Sequence, residues 1–125
     1  MPAQKTIFIA GAGAWGTAIA NAVASADRDV ILFARDSAAA ERIATSRLNP
    51  KLPGIRVDDN VVLTSSLFRA ADVMTVLLAM PAQELRAGLT ALAPHLAKGA
   101  VVVATAKGIE SGTRKFMTEI IAEIV

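Results

Sequence analysis

One passage constrains this chain more than any other. A short apolar run, Ile7–Ala10, leads into Gly11, Gly13 and Gly16, and from there into a helical pattern. Between a strand and a helix, G-x-G-x-x-G spacing has a physical reading. The first glycine permits a tight turn, the second lets the main chain approach a pyrophosphate, and the third lets helix and strand pack closely. The free N–H groups and the positive end of the helix dipole then face the phosphates. In an alanine-rich chain the glycine spacing alone is a weak signal that chance can produce, and the flanking strand and helix give it weight. The periodicity after the turn puts Trp15, Ala18, Ile19, Ala22, Val23 and Ala26 on one stripe, the predicted buried face.

The same region has a rival reading as a secretory leader, with Lys5 ahead of an apolar stretch and Ala22-Val-Ala24-Ser-Ala26 as a small-residue cleavage site. Three glycines interrupt that apolar core, and its basic part holds a single lysine. The segment also runs straight into a second strand, so the leader reading is the weaker one.

The rest of the chain alternates strands and helices. Val30–Ala34 is a continuous apolar run, as in an interior parallel strand. A helix from Ser37 to Arg47 follows, with Ser37 the predicted N-cap. Two prolines and a glycine make Asn49–Gly54 a surface loop. Val61–Leu63 reads as a third strand, and Ser65 or Ser66 as the cap of a one-turn helix through Ala71. Val73–Ala79 is the clearest buried strand. Pro81 suits the first position of a helix whose stripe is Leu85, Leu89 and Leu92 and which Pro94 ends. Gly99–Ala104 is a fifth strand, and a last helix is predicted from near Gly112, with Phe116, Met117, Ile120, Ile121 and Ile124 apolar. The expectation is an α/β chain: a Rossmann-type, doubly wound parallel sheet of five strands, the sixth absent, with helices on both faces. A hydrophobic content of 54% suits a sheet buried on both sides.

Other classes are disfavoured. Thirteen basic residues stand against 11 acidic ones, with no basic run or aromatic interleaving, so nucleic acid is not an expected partner. The absence of cysteine removes disulfides, thiol chemistry and cysteine metal sites. The most apolar run, Val73–Met80, is far short of a membrane span. No metal-ligand spacing appears. His95, the single histidine, follows Pro94 with no nucleophile paired to it, and reads as structural. A soluble, cytoplasmic protein is the expectation.

Three places are candidates for binding chemistry. Arg35 falls where the second strand should end, about 20 residues past the glycine turn, where NAD-selective folds usually carry an acidic group for the ribose. An arginine there pairs with a 2′-phosphate or stacks on adenine, while Asp36 beside it keeps NAD open. Met80-Pro81-Ala82-Gln83 follows the fourth strand and Lys107 the fifth, on the same edge of the sheet as the glycines. A lysine before a glycine turn suits a phosphate on substrate or cofactor. Trp15 reads as a packing residue within reach of a cofactor.

Gly11-Ala-Gly13-Ala-Trp15-Gly16-Thr17-Ala18 closely resembles the opening of bacterial NAD(P)-dependent glycerol-3-phosphate dehydrogenases. So do Phe33-Ala-Arg35-Asp36, the Leu52-Pro53-Gly54 loop, Ala79-Met-Pro81 with Arg86, and Ala104-Thr-Ala-Lys107-Gly108-Ile109-Glu110. The resemblance covers essentially the whole chain. It implies reversible hydride transfer between NAD(P)H and dihydroxyacetone phosphate, giving sn-glycerol 3-phosphate for phospholipid synthesis. It puts Ala14, Trp15, Arg35 and Lys107 at cofactor-contact positions beside Gly11, Gly13 and Gly16, and Lys107 also at a substrate-contact position. Two departures stand out. Lys51 occupies a place often aromatic in such proteins, which alters an adenosine-side contact, and Ala82 replaces a frequent serine and loses its hydroxyl. Enzymes of this kind resemble a two-domain design in which a helical second domain carries the proposed general base and most of the substrate-phosphate site. Residues 1–125 are therefore expected to be the N-terminal cofactor domain of a longer protein, with no catalytic residue of their own and a homodimer through the second domain left open. The competing expectations are a 6-phosphogluconate or 3-hydroxyacyl type of dehydrogenase, which would differ at the Lys107-Gly-Ile-Glu turn, or a stand-alone nucleotide sensor.

Overall fold

A computed structural model describes residues 6–125; Lys5, which opens the passage above, lies outside them. Five strands form one sheet: β1 (Thr6–Ala10), β2 (Asp29–Phe33), β3 (Val61–Thr64), β4 (Thr75–Leu78) and β5 (Val101–Ala104). Every pairing is parallel and the spatial order is β3-β2-β1-β4-β5. Four helices cross between or follow the strands: α1 (Ala14–Ser25), α2 (Ser37–Ser46), α3 (Leu85–Leu92) and α4 (Met117–Ile124).

Alternation along each strand divides the apolar residues between two layers. Ile7, Ile9, Val30 and Leu32 point to one face, where Ala20 and Ala24 of α1 and Ile43 of α2 cover them. Phe8, Ala10, Ile31, Val76 and Leu78 point to the other, against Leu85, Leu89 and Leu92 of α3 and Met117 and Ile120 of α4. Phe8 and Phe33 stack there with ring centroids 6.0 Å apart. Full burial of each such leucine or phenylalanine contributes about 1.5–3 kcal/mol, so both faces must be covered for the sheet to be stable. The doubly wound sheet with helices on both faces is therefore as expected.

The chain winds outward from β1 through β2 to β3, then returns to the other side of β1 for β4 and β5. That reversal leaves a crevice outside the carboxyl ends of β1 and β4, where ligands bind in open α/β sheets. The ladder continues just past the strands: Ala79 N–H donates to Ala10 O at 2.8 Å, Gly11 N–H to Phe33 O at 3.1 Å, and Thr105 N–H to Leu78 O at 3.1 Å. The turns after β1, β4 and β5 are thus carried at a common level.

Several local expectations are corrected. The buried face of α1 is Gly16, Thr17, Ala20 and Ala24, with Ile19 and Val23 partly buried, while Trp15, Ala22 and Ala26 are exposed. The helix lies so close to β1 that only small residues fit against the strand, and an apolar stripe is not the criterion that selects its buried side. Asp36, not Ser37, caps α2, its Oδ1 accepting from Ala38 N–H at 3.0 Å. Pro81 stands one place before the short 3-10 turn Ala82–Glu84 that precedes α3. The last helix begins at Met117, not near Gly112, because Gly112 (φ +90°) and Arg114 (φ +59°) take left-handed conformations that a helix cannot continue. Residues between them fold back instead, with Glu110 N–H bonded to Lys115 O at 2.8 Å.

Candidate dinucleotide site

The glycines do three different jobs. Gly11 has φ +122°, and a Cβ there would stand 2.9 Å from the Ala79 backbone. Gly16 is tighter still: an added Cβ would lie 1.8 Å from the Gly11 carbonyl oxygen. Both are required by the protein's own packing. Gly13 differs, since an added Cβ would meet no protein atom within 4 Å. Its φ of −77° and ψ of −170° are open to any residue. Among the described residues nothing demands a glycine at position 13, and the space beside it is open to a molecule that approaches the backbone from outside.

Gly13 is also the N-cap of α1. It has no side chain to satisfy the first N–H groups, and the first turn holds no acidic residue. Thr17 N–H is the one that closes onto Gly13 O, at 3.0 Å. The N–H groups ahead of it have no intrahelical acceptor by helix geometry, and the positive end of the helix dipole is not neutralised. An anion fits this end, as a pyrophosphate does in a dinucleotide fold.

An open cleft of about 1340 Å³ runs across the carboxyl ends of β1, β2 and β4. Gly11 and Gly13 form its floor, Arg35 and Asn49 stand on one side, and Met80 and Gln83 on the other. Trp15 and Lys107 lie outside the cleft lining. Trp15 is 59% exposed, so it is not the packing residue that its periodicity suggests. Arg35 follows β2 and is exposed. Asp36 beside it already caps α2, so its carboxylate is engaged in the fold and is less available to a ribose hydroxyl than the sequence suggests. His95 packs edge-on against Phe68, centroids 4.7 Å apart, in a structural contact away from the glycines.

Lys107 is exposed at the tip of the turn after β5, and that turn is braced from α3 and from the 3-10 turn that precedes it. Gln83 Nε2 donates to Ile109 O at 3.0 Å, and Gln83 Oε1 accepts from Ser111 N–H at 2.7 Å. Arg86 grips Glu110 in a fork, Nε to Oε2 at 2.9 Å and Nη2 to Oε1 at 3.0 Å. The Arg86 hydrogen bond, with a second from Thr113, holds the Glu110 carboxyl below its ordinary range, and Glu110 in turn raises the arginine's. Arg86 also reaches Glu123 of α4, which Lys115 pairs with as well. The Lys107 turn is therefore tied to both α3 and α4.

One residue of the site was missed by the reading of the sequence. Asn49 is 3% exposed, and its Nδ2 donates to Ala12 O at 2.9 Å, within the glycine turn itself, and to Thr17 Oγ1 at 2.8 Å. The only local trace is its place ahead of Pro50 in a turn, where asparagine is common.

A five-stranded parallel sheet with a glycine turn, an uncapped helix start and a cleft at the strand reversal defines a Rossmann-type dinucleotide-binding domain. Residues 6–125 match the family model described as NAD-dependent glycerol-3-phosphate dehydrogenase N-terminus, and the chain belongs to that family. It is 54% identical over 123 residues to the glycerol-3-phosphate dehydrogenase [NAD(P)+] of Bradyrhizobium sp. (strain BTAi1), covering 98% of this chain and 38% of that protein. Among solved structures, glycerol-3-phosphate dehydrogenase from Coxiella burnetii superimposes with a TM-score of 0.87 at 22% identity, over 97% of this chain and 38% of that one. The Saccharomyces cerevisiae enzyme gives 0.82 at 26% identity, over 96% and 39%. The chain thus spans well under half the length of the relatives it matches.

Proposed function

We propose that this chain is the dinucleotide-holding domain of an oxidoreductase that interconverts dihydroxyacetone phosphate and sn-glycerol 3-phosphate with NADH or NADPH. The observation that carries this is Gly13: a glycine with no internal reason, at an uncapped helix start, on the floor of a cleft. Family membership supports the substrate.

In this reading Gly11 and Gly16 shape the turn, while Gly13, Ala14 and Trp15 present main-chain N–H groups to the pyrophosphate. Arg35 takes the adenosine end, with its guanidinium suited to a 2′-phosphate. Lys107, held out by Gln83 and the Arg86–Glu110 pair, faces the phosphate of the three-carbon substrate and the nicotinamide end. The nicotinamide, when bound, supplies or accepts the hydride. Residues 1–125 act as one cofactor domain. The family resemblance implies that the general base and most of the substrate-phosphate site lie outside the part this chain spans, so no catalytic residue is assigned within it. Glycerophospholipid synthesis in the cytoplasm is the corresponding role, and among the described residues no helix is long and apolar enough to cross a membrane.

Titration of the 125-residue chain with NADH and NADPH, followed by nicotinamide fluorescence, tests this. Saturable binding that ADP-ribose displaces is expected, without steady-state oxidation when dihydroxyacetone phosphate is added. A folded chain that binds neither dinucleotide, or one that turns over by itself, overturns the reading.

A further inference from the structure

A glycine-rich turn grips phosphate only if its N–H groups point the right way, and glycine is the residue least able to enforce that by itself. The peptide between Ala12 and Gly13 sits in this position. A Cβ added at Gly13 would meet nothing within 4 Å, so no side-chain packing at Gly13 holds it. In a trans peptide the carbonyl and the following N–H point in opposite directions, and the described residues contain no cis bond. Whatever holds the Ala12 carbonyl therefore also aims the Gly13 N–H.

That carbonyl is held by Asn49 Nδ2 at 2.9 Å. We propose that Asn49 is a positioning residue for the pyrophosphate grip, fixing the Ala12–Gly13 peptide so that the Gly13 N–H stays turned away from Asn49 toward the cleft. The inference rests on the dinucleotide reading above and names a residue 37 positions along the chain from Ala12.

Asn49 is able to do this because its own orientation is over-determined. The second Nδ2 hydrogen goes to Thr17 Oγ1 at 2.8 Å, Oδ1 accepts from Lys51 N–H at 3.1 Å, and its main-chain oxygen accepts from Leu52 N–H at 2.8 Å. Rotating the amide would break all the side-chain bonds at once at a nearly buried residue, where each lost partner is costly. The frame behind it is also fixed. One turn along α1 from Thr17, Asn21 accepts from Asp58 N–H at 2.9 Å and donates to Arg56 O at 3.1 Å. The loop from Asn49 to Asp58 is thus laid along α1 at both ends, and Asn49 transmits that fixed position to the glycine turn.

Calorimetric titration of this chain with ADP-ribose, NADH and NADPH tests the proposal, using Asn49→Ala and Thr17→Val together. Asn49→Ala removes all three side-chain bonds of the amide and Thr17→Val removes one of them. Both are expected to lower the thermal midpoint, but only the first frees the Ala12 carbonyl. Asn49→Ala is expected to weaken ADP-ribose and NADH alike, on the order of tenfold for one hydrogen bond to a charged group, with the NADPH-to-NADH preference unchanged. Thr17→Val should stay within about twofold of the unmodified chain. Equal losses in the two variants, or unchanged affinity in a folded Asn49→Ala chain, overturn the proposal. Asn49→Ser is the second variant if the alanine chain does not fold, and is judged by the same comparison. An unmodified chain that bound no ADP-ribose would instead overturn the reading of the site, which keeps the two failures apart.

Discussion

The carbonyl oxygen of Gly11 and the α-carbon of Gly16 are so close that a methyl group on Gly16 would stand 1.8 Å from that oxygen. Gly13, between them in the chain, has open space where its side chain would be. The two positions should therefore fail in different assays. Gly16→Ala is expected to cost about 3 kcal/mol or more, the upper end for overpacking, because its neighbour is backbone and cannot turn aside. That is a large share of a typical domain's stability. Gly13→Ala should cost about 1 kcal/mol or less, as a change at a helix cap, yet weaken dinucleotide binding at least about tenfold. Thermal unfolding and calorimetry on the two variants separate these outcomes.

Arg35 is exposed at the end of β2, beside an Asp36 that is occupied as a helix cap. Arg35→Ala should weaken NADPH by about 1.5–3 kcal/mol, the range for a hydrogen bond to a charged group, and leave NADH nearly unchanged. Equal losses for the two ligands in a titration would remove the 2′-phosphate role.

The Arg86–Glu110 fork makes stability depend on acid in a definite direction. The Glu110 carboxyl is held below its ordinary value, first by Arg86 and then by Thr113. A carboxyl lowered in the folded state contributes stability that is fully present above its unfolded value of about 4.3. It loses that contribution as pH falls through the lower folded value. Glu110→Gln should therefore lower the thermal midpoint at pH 7, and the gap to the unmodified chain should close below about pH 4. A gap that persists at acid pH would show that the pair's charge is not what stabilises the turn.

Gly88 sits inside α3 where an added Cβ would lie 2.2 Å from Met80 Sδ. Alanine gains about 1 kcal/mol of helix propensity over glycine, but here it forces Met80 to move, and both residues line the cleft. Gly88→Ala is expected to unfold at a temperature near that of the unmodified chain while binding NADH a few-fold more weakly. A titration that found unchanged affinity would show that Met80 does not border the bound ligand.

The order of strands and helices, the parallel sheet and the glycine turn were all legible in the sequence, because each is written in short-range patterns. Ile7–Ala10 and Val30–Phe33 are continuous apolar runs, as strands covered on both faces must be. The Gly11, Gly13 and Gly16 spacing reports one turn. The buried side of α1 was not legible from its apolar stripe. It is chosen by how near the helix comes to β1, which admits Gly16, Thr17 and Ala20 and leaves Trp15 outside. The start of α4 at Met117 is hidden for a related reason: apolar periodicity is silent about the backbone conformations of Gly112 and Arg114.

The layered fold and a turn able to meet a phosphate can be read from the residues in order, since strand alternation, helix period and glycine's conformational range act over a few residues. Which polar groups meet across the chain is set by the packed fold. Asn49 reaches Ala12, Gln83 reaches Ile109 and Ser111, and Arg86 grips Glu110, over separations for which no local pattern exists. Hydrogen bonds of that kind depend on distances and angles set by the packing of whole elements. It is packing, too, that distinguishes Gly13 from Gly11 and Gly16: two of the glycines are needed by the protein's own backbone contacts, and beside the third the described residues leave open space.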